Sequence, residues 1–223
     1  MKVSLSIDIV SDVVCPWCYL GKRRLERALA QRPDVQATIR WLPFYLDPNV
    51  PPQGVTRFEY ISRKFGTGDK ITPTHQRLVG LGARVGLDFR FEKIERQPHT
   101  RDAHRLIAWA QEAGKANAVV DRLFAMFFTE GADLTKRDVI ADAGKVAGMD
   151  PEKLLRDLQS DKDVALVDRQ AAAAAASGIN GVPFFVFDKK IAVSGAQEIE
   201  VFVSALDRAL GREIGQTAQA SGY

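Results

Sequence analysis

Val3-Ser4-Leu5-Ser6-Ile7-Asp8-Ile9-Val10, followed after four residues by Cys15-Pro16-Trp17-Cys18, is the stretch that decides the fold. The first run alternates apolar and polar side chains, the period of a half-buried strand. Beyond the cysteines, from Leu20 to Arg32, the spacing of Leu25, Ala28 and Leu29 is helical. A strand, a short loop and Cys-x-x-Cys at the mouth of a helix is the arrangement of a reactive dithiol. These are the only two cysteines in 223 residues, so no disulfide scaffold competes for them.

Working outward, 46% hydrophobic and 26% charged residues describe an ordinary globular chain, long enough for one large domain or a domain with an insertion. A net charge of +3 is too small and scattered to suggest a nucleic-acid partner. Lys22, Arg23 and Arg24 crowd together, but on what reads as the solvated face of the first helix. After Met1-Lys2 the chain enters the strand directly, with no apolar run of signal-peptide length. No stretch approaches the roughly 18 apolar residues of a membrane-spanning helix. The expectation is a cytoplasmic protein without a membrane partner, where a disulfide would be transient and catalytic.

The first unit reads as strand (3–10), helix (16–32) and strand (35–44), the last placing Val35, Ala37, Ile39 and Trp41 on one side. A proline-rich passage from Pro43 to Pro52 marks a domain crossing. From 55 to 160 helix signals dominate. Thr56-x-x-Glu59 and Thr135-x-x-Asp138 look like capping boxes, and Thr72-Pro73 and Asp150-Pro151 put proline at a helix start. Gly66, Gly114, Gly131 and Gly148 read as stops. Val119, Val120, Leu123, Phe124, Met126, Phe127 and Phe128 cover nearly every side of their helix, which should be central to a helical core.

A further helix is expected from Ser160 to Ser177, opened by Ser160-x-x-Asp163 and closed by Gly178. Its Ala171–Ala176 run reads as a surface for packing on a sheet. After Pro183 come a strand (Phe184–Phe187), a turn (Asp188-Lys189-Lys190) and a second strand (Ile191–Val193), a hairpin. A last helix from Glu198 to Leu210 should turn Val201, Phe202, Ala205, Leu206 and Ala209 inward, and the tail beyond Gly211 should fray. The element order is β-α-β, a helical block, then α-β-β-α.

Periodicity separates the two sulfurs. Cys18 shares the apolar helix face with Gly21, Leu25 and Leu29 and should point inward. Cys15 lies one turn earlier, where unpaired N–H groups and the positive end of the helix dipole favour an anion. Cys15 is therefore expected to be the accessible, low-pKa nucleophile and Cys18 the buried thiol that resolves the mixed disulfide. Pro16 suits the first helical position, and Trp17 offers apolar surface to a substrate. Asp8 and Asp12 are the nearest acids and candidates to accept the proton of Cys18: Asp8, on the strand's polar face, could serve as the base if buried beneath the pair, although such acids more often face solvent or cap a turn. Pro183 has no N–H to donate and stands where a cis bond would mark a tight turn. There it could leave Val182 free to pair with an extended peptide, although a simple strand-entry proline fits the same residues. A metal-binding module is the weakest reading: Cys-x-x-Cys supplies two ligands, His75 reads as a core or boundary residue, and His99 and His104 are five apart.

Ser11-Asp12-Val13-Val14-Cys15-Pro16-Trp17-Cys18-Tyr19-Leu20-Gly21 resembles the active-site segment of DsbA-like thioredoxin-fold oxidoreductases, in particular their FrnE-like branch. Trp41-Leu42-Pro43-Phe44, Leu46-Asp47-Pro48, Gly86-Leu87-Asp88-Phe89, Thr100-Arg101-Asp102-Ala103-His104-Arg105-Leu106, Gly181-Val182-Pro183-Phe184 and Ser194-Gly195-Ala196-Gln197 extend the resemblance over most of the chain. It implies an α/β, thioredoxin-like fold with a large all-helical insertion between the βαβ and ββα halves. Residues 1–52 and 161–223 would form the thioredoxin-like domain and 53–160 the insertion. It also implies thiol–disulfide exchange on protein or small-thiol disulfides, oxidising, reducing or isomerising, with Cys15 nucleophilic, Cys18 resolving and Pro183 cis. No tightly bound cofactor is implied. His99 departs from the pattern, where relatives often carry asparagine. Related 2-hydroxychromene-2-carboxylate isomerases and kappa-class glutathione transferases typically carry serine near the position of Cys15. The intact pair argues against that class, though Val182 and the Ser194–Gln197 turn could still hold glutathione as a redox partner.

Overall fold

The computed structural model describes residues 2–66 and 71–212. Its strands are β1 (Val3–Ser11), β2 (Val35–Pro43), β3 (Val55–Thr56), β4 (Arg96–Gln97), β5 (Phe184–Phe187) and β6 (Ile191–Ser194). Its helices are α1 (Pro16–Ala30), α2 (Arg57–Phe65), α3 (Thr72–Ala83), α4 (Arg101–Glu112), α5 (Ala116–Ala125), α6 (Arg137–Ala143), α7 (Pro151–Gln159), α8 (Val164–Ala176) and α9 (Ile199–Ala209). The main sheet has the order β2-β1-β5-β6. β1 runs parallel to β2 and antiparallel to β5, and β5 and β6 form the expected hairpin. The crossover from β1 to β2 is made by α1, as a parallel pair requires.

Alternation sets the register. Leu5, Ile7 and Ile9 of β1 are buried while Ser4 and Ser6 face outward. Phe185 and Phe187 continue the buried layer from β5, and Phe202 of α9 packs edge-on against Phe185 at 4.8 Å. The middle of the chain is helical except for a two-residue ribbon, β3 paired antiparallel with β4. The insertion is thus not all-helical; so short a ribbon carries no readable period. The helix carrying Val119 to Phe128 buries Val119, Val120, Leu123, Phe124, Met126, Phe127 and Phe128, leaves Ala118 exposed and Asp121, Arg122 and Ala125 half-buried on its remaining face, and continues beyond α5 as a π-helical turn over Met126–Glu130. Tyr19 of α1 stacks on Phe124 at 5.0 Å and meets Phe89 edge-on at 5.9 Å, joining the first helix to that core.

Local signals held unevenly. The capping box at Thr56 is complete, with Thr56 and Glu59 bonded reciprocally, and Asp150 caps α7 ahead of Pro151. Thr135 does not cap α6; its hydroxyl and N–H both go to Asp133, in an Asx turn that outcompetes the helix start. α8 begins at Val164, four residues later than expected, because Asp163 adopts φ 59° and accepts from the Trp109 indole at 2.8 Å instead of capping. Of the alanine run only Ala171 is buried, so it serves helix propensity more than packing. Val201 is 42% exposed, not inward. The tail expected to fray lies, from residue 213, outside the described residues.

The basic cluster on α1 is the clearest correction. Lys22 and Arg24 are 4% and 5% exposed. Lys22 is held by Glu26 and by Asp121 of α5, and Arg24 donates to the Ala196 carbonyl at 2.7 Å and to Glu198 at 2.7 Å. These charges are buried because partners distant in sequence meet them, which is the condition for burying charge at all.

Candidate functional site

Cys15 is the N-cap residue of α1, with extended backbone and Pro16 opening the helix behind it. The turn before it is closed by Cys15 N–H donating to the Asp12 carbonyl at 3.0 Å. Cys15 C=O in turn accepts from Cys18 N–H at 3.0 Å and Tyr19 N–H at 3.3 Å, so the dithiol spans the first helical turn. Cys15 is 3% exposed and Cys18 2%, so Cys15 is less open than its place at a helix mouth suggested.

What covers Cys15 is the segment before β5. The Val182–Pro183 peptide bond is cis, and the Cys15 thiol donates to the Val182 carbonyl oxygen at 3.5 Å. The approach of α1 to this loop depends on Gly21: a Cβ there would lie 3.0 Å from Pro183 Cγ and 3.1 Å from Phe185 Cζ. Glycine's missing side chain thus seats the helix against the loop. Trp17 is half-buried, with the Arg77 guanidinium of α3 5.7 Å from its ring centroid.

The Cys18 thiol is pushed well above its ordinary range, first by burial and then by the neighbouring Cys15 thiol. Hydrogen bonds from the Ser11 side chain and the Asp12 backbone oppose that rise. Cys18 therefore stays protonated until a base takes its proton.

The two acids have different surroundings. Asp8 makes a bidentate pair with Arg40 of β2 at 2.8 and 2.6 Å on the polar side of the sheet. Asp12 is 1% exposed; its Oδ2 accepts from Leu46 N–H at 2.9 Å and its Oδ1 lies 3.5 Å from His104 Nε2. The structure thus buries Asp12, three residues before Cys15, beside His104, and leaves Asp8 engaged with Arg40. Sequence reading weighed His104 only as a metal ligand; its place on the buried face of α4, one turn from Thr100, was the available signal. His99 Nδ1 accepts the Arg101 N–H at 3.2 Å at the start of α4, a task an asparagine oxygen could equally perform. His75 stacks on Phe91 at 4.0 Å. Among the described residues no three His, Cys, Asp or Glu side chains converge as a metal site. Nor is any described helix long and apolar enough to cross a membrane.

Residues 6–207 match the DSBA-like thioredoxin domain. The chain belongs to that family, and its thioredoxin-like fold carries a dithiol at the start of α1. It is 27% identical over 206 residues to the uncharacterized protein YwbO of Bacillus subtilis, covering 92% of this chain and 96% of YwbO. It is similar to the crystal structure of the probable DsbA oxidoreductase SCO1869 of Streptomyces coelicolor, at 31% identity and TM-score 0.83, covering 96% and 93% of the two chains. It shares its fold with the cytosolic disulfide reductase DsbM of Pseudomonas aeruginosa, at 16% identity and TM-score 0.63, covering 92% and 96%. DsbM has also been solved with GSH.

Proposed function

We propose that the protein is a thiol–disulfide oxidoreductase in which Cys15 attacks a substrate disulfide and Cys18 resolves the mixed disulfide. The observation that carries this reading is the placement of Cys15 at the N-cap of α1 against the Val182 carbonyl, with Cys18 one turn behind it and buried. Attack by Cys15 joins its sulfur to one substrate sulfur and releases the other as a thiolate. Cys18, losing its proton, then attacks Cys15, and the second substrate sulfur leaves. Run backwards, the same steps oxidise a substrate dithiol.

Pro16, Trp17, Val182 and Pro183 form the substrate surface in this reading. An incoming disulfide takes the place beside Cys15 now held by the Val182 carbonyl, and an extended peptide would pair with the backbone there. In the proposed division, residues 1–52 with 161–223 supply the dithiol and 53–160 form the cover that Tyr19 and Trp17 pack against. Protein disulfides or small-thiol disulfides are the substrates, in a reducing, cytoplasmic setting. Glutathione is the redox partner favoured by the shared fold with DsbM, which has been solved with GSH. A glutathione-dependent isomerase without dithiol chemistry would have no use for Cys18.

Substrate trapping tests the assignment. The Cys18→Ser variant, incubated with oxidised glutathione or a disulfide peptide, should accumulate a stable adduct that peptide mass spectrometry places on Cys15. Adducts forming equally well in Cys15→Ser would overturn the assigned roles.

A further inference from the structure

The helix beside the dithiol brings a charge to it that the exchange steps above leave unused. α3 runs alongside α1. Just past the end of α3, the Arg84 carbonyl oxygen accepts from Arg27 in the last turn of α1 at 2.9 Å. Seven residues earlier, the Arg77 guanidinium stands 5.7 Å from the ring centroid of Trp17. Arg77 is therefore level with the first turn of α1, the turn that Cys15 caps and to which Trp17 belongs. A guanidinium over an indole ring is held in place by the ring while its N–H donors stay open to a further partner.

The charges around Arg77 leave it without a carboxylate. Arg77 is exposed and makes no ion pair among the described residues. α2 and α3 together carry Arg57, Arg63, Lys64 and Arg77 against the single acid Glu59, which is engaged in the capping box with Thr56. The whole chain has a net charge of only +3, so this excess is local to the flank of the dithiol. The other cations have partners: Arg63 pairs with Asp47, Arg57 donates to Gln97, and Lys64 donates to the Tyr60 hydroxyl and the Leu46 carbonyl. The acids that meet α1 are engaged too, Glu26 and Asp121 by Lys22 and Arg23, and Glu198 by Arg24.

We propose that Arg77 is a specificity-determining residue of the dithiol site, pairing with a carboxylate carried beside the disulfide of the substrate while Trp17 meets its apolar part. This rests on the thiol-exchange reading and names the class of substrate: disulfides with an anionic group a few atoms from the sulfur. In the step concerned, the Cys15 thiolate forms a bond to one substrate sulfur and the substrate S–S bond breaks. The other sulfur leaves with the electron pair as a thiolate. Arg77 makes and breaks no covalent bond. It draws the anionic disulfide to the mouth of α1 and fixes its orientation there, which raises the rate of attack.

The test uses the reduced full-length protein and two aromatic disulfides whose released thiols absorb light, one with a carboxylate on each ring and one uncharged. The readout is the second-order rate constant for the first release, charged reagent over uncharged, so that any change in the Cys15 thiolate cancels. Arg77→Gln should lower this ratio at least about threefold, as loss of an exposed ion pair does. Arg77→Glu should lower it at least about tenfold, because repulsion replaces attraction, and Arg77→Lys should keep most of it. Added salt should lower the ratio in wild type and leave it nearly flat in Arg77→Gln. Peptide disulfides with Asp or Asn beside the cysteine separate the two sources of the carboxylate. A preference for Asp that is lost in Arg77→Gln assigns acidic polypeptide segments; a preference confined to the aromatic reagents assigns small disulfides. A ratio unchanged in Arg77→Gln and Arg77→Glu would overturn the role of Arg77. Release from Cys15→Ser as fast as from wild type would instead overturn the thiol-exchange reading on which it stands.

Discussion

The Cys15 thiol donates to the carbonyl oxygen of Val182 at 3.5 Å, across 167 residues of chain. This contact ties the mouth of the first helix to the loop that enters the second half of the sheet. Cys18, one turn further on, is sealed beneath it with its thiol pushed well up by burial. The two sulfurs therefore occupy unlike environments although three residues separate them.

That asymmetry should be visible in alkylation. With a small haloacetamide at neutral pH, Cys15 should react at least about tenfold faster than Cys18, since one unit of thiol pKa changes the thiolate population about tenfold. Labelling of Cys15→Ser should be slow and of Cys18→Ser fast, followed by peptide mass spectrometry. Equal rates would contradict the assigned environments.

The fit of α1 against the loop predicts a packing effect at Gly21. Gly21→Val would drive side-chain atoms into Pro183 and Phe185, which a Cβ alone already approaches at 3.0 and 3.1 Å. Overpacking of this kind typically costs about 1–3 kcal/mol. Chemical denaturation should show that loss, and exchange activity should fall with it because Cys15 is displaced from its loop.

Arg24 offers a different test. Its guanidinium satisfies the Ala196 carbonyl and reaches Glu198, linking α1 to the turn before α9. Arg24→Ala leaves that carbonyl without its charged donor and should destabilise by about 1–3 kcal/mol in urea unfolding. Because Glu198 is largely exposed, Glu198→Gln should cost much less. Similar losses in both variants would assign the stabilisation to the ion pair instead.

Arg24 also shows where sequence reading stops. The strand–dithiol–helix opening was legible because its signals are local: alternation in β1, proline after Cys15, and a helical stripe through Cys18, Gly21 and Leu25. The hairpin and the capping box at Thr56 were legible for the same reason. Burial of Lys22 and Arg24 was not, because their partners Asp121 and Glu198 lie 99 and 174 residues away. The meeting of Asp12 with His104 likewise depends on how α4 packs behind the turn after β1. Asp8 looked the better placed of the two acids near the cysteines; only the fold gives Asp8 to Arg40 and buries Asp12 instead.

His75 predicts a pH effect on stability. Burial, with the Arg57 charge adding to it, lowers its pKa from 6.5 to about 4. The unfolded chain then binds this proton more readily than the folded one, so stability is lost as pH falls from 6.5 toward 4. His75→Phe keeps the stack on Phe91 and removes the titration. Its stability relative to wild type should rise steadily across that window in denaturant melts at stepped pH. A constant difference would contradict the burial argument.

The central claim, that Cys15 and Cys18 form a working redox pair, is tested most directly by equilibrating the protein against defined mixtures of reduced and oxidised glutathione. The account predicts one reversible two-electron transition between dithiol and internal disulfide, lost in Cys15→Ser and in Cys18→Ser. Its midpoint would also give the direction in which the protein passes electrons in its compartment. Failure to form the internal disulfide even under strongly oxidising mixtures, with only single glutathione adducts appearing, would contradict it.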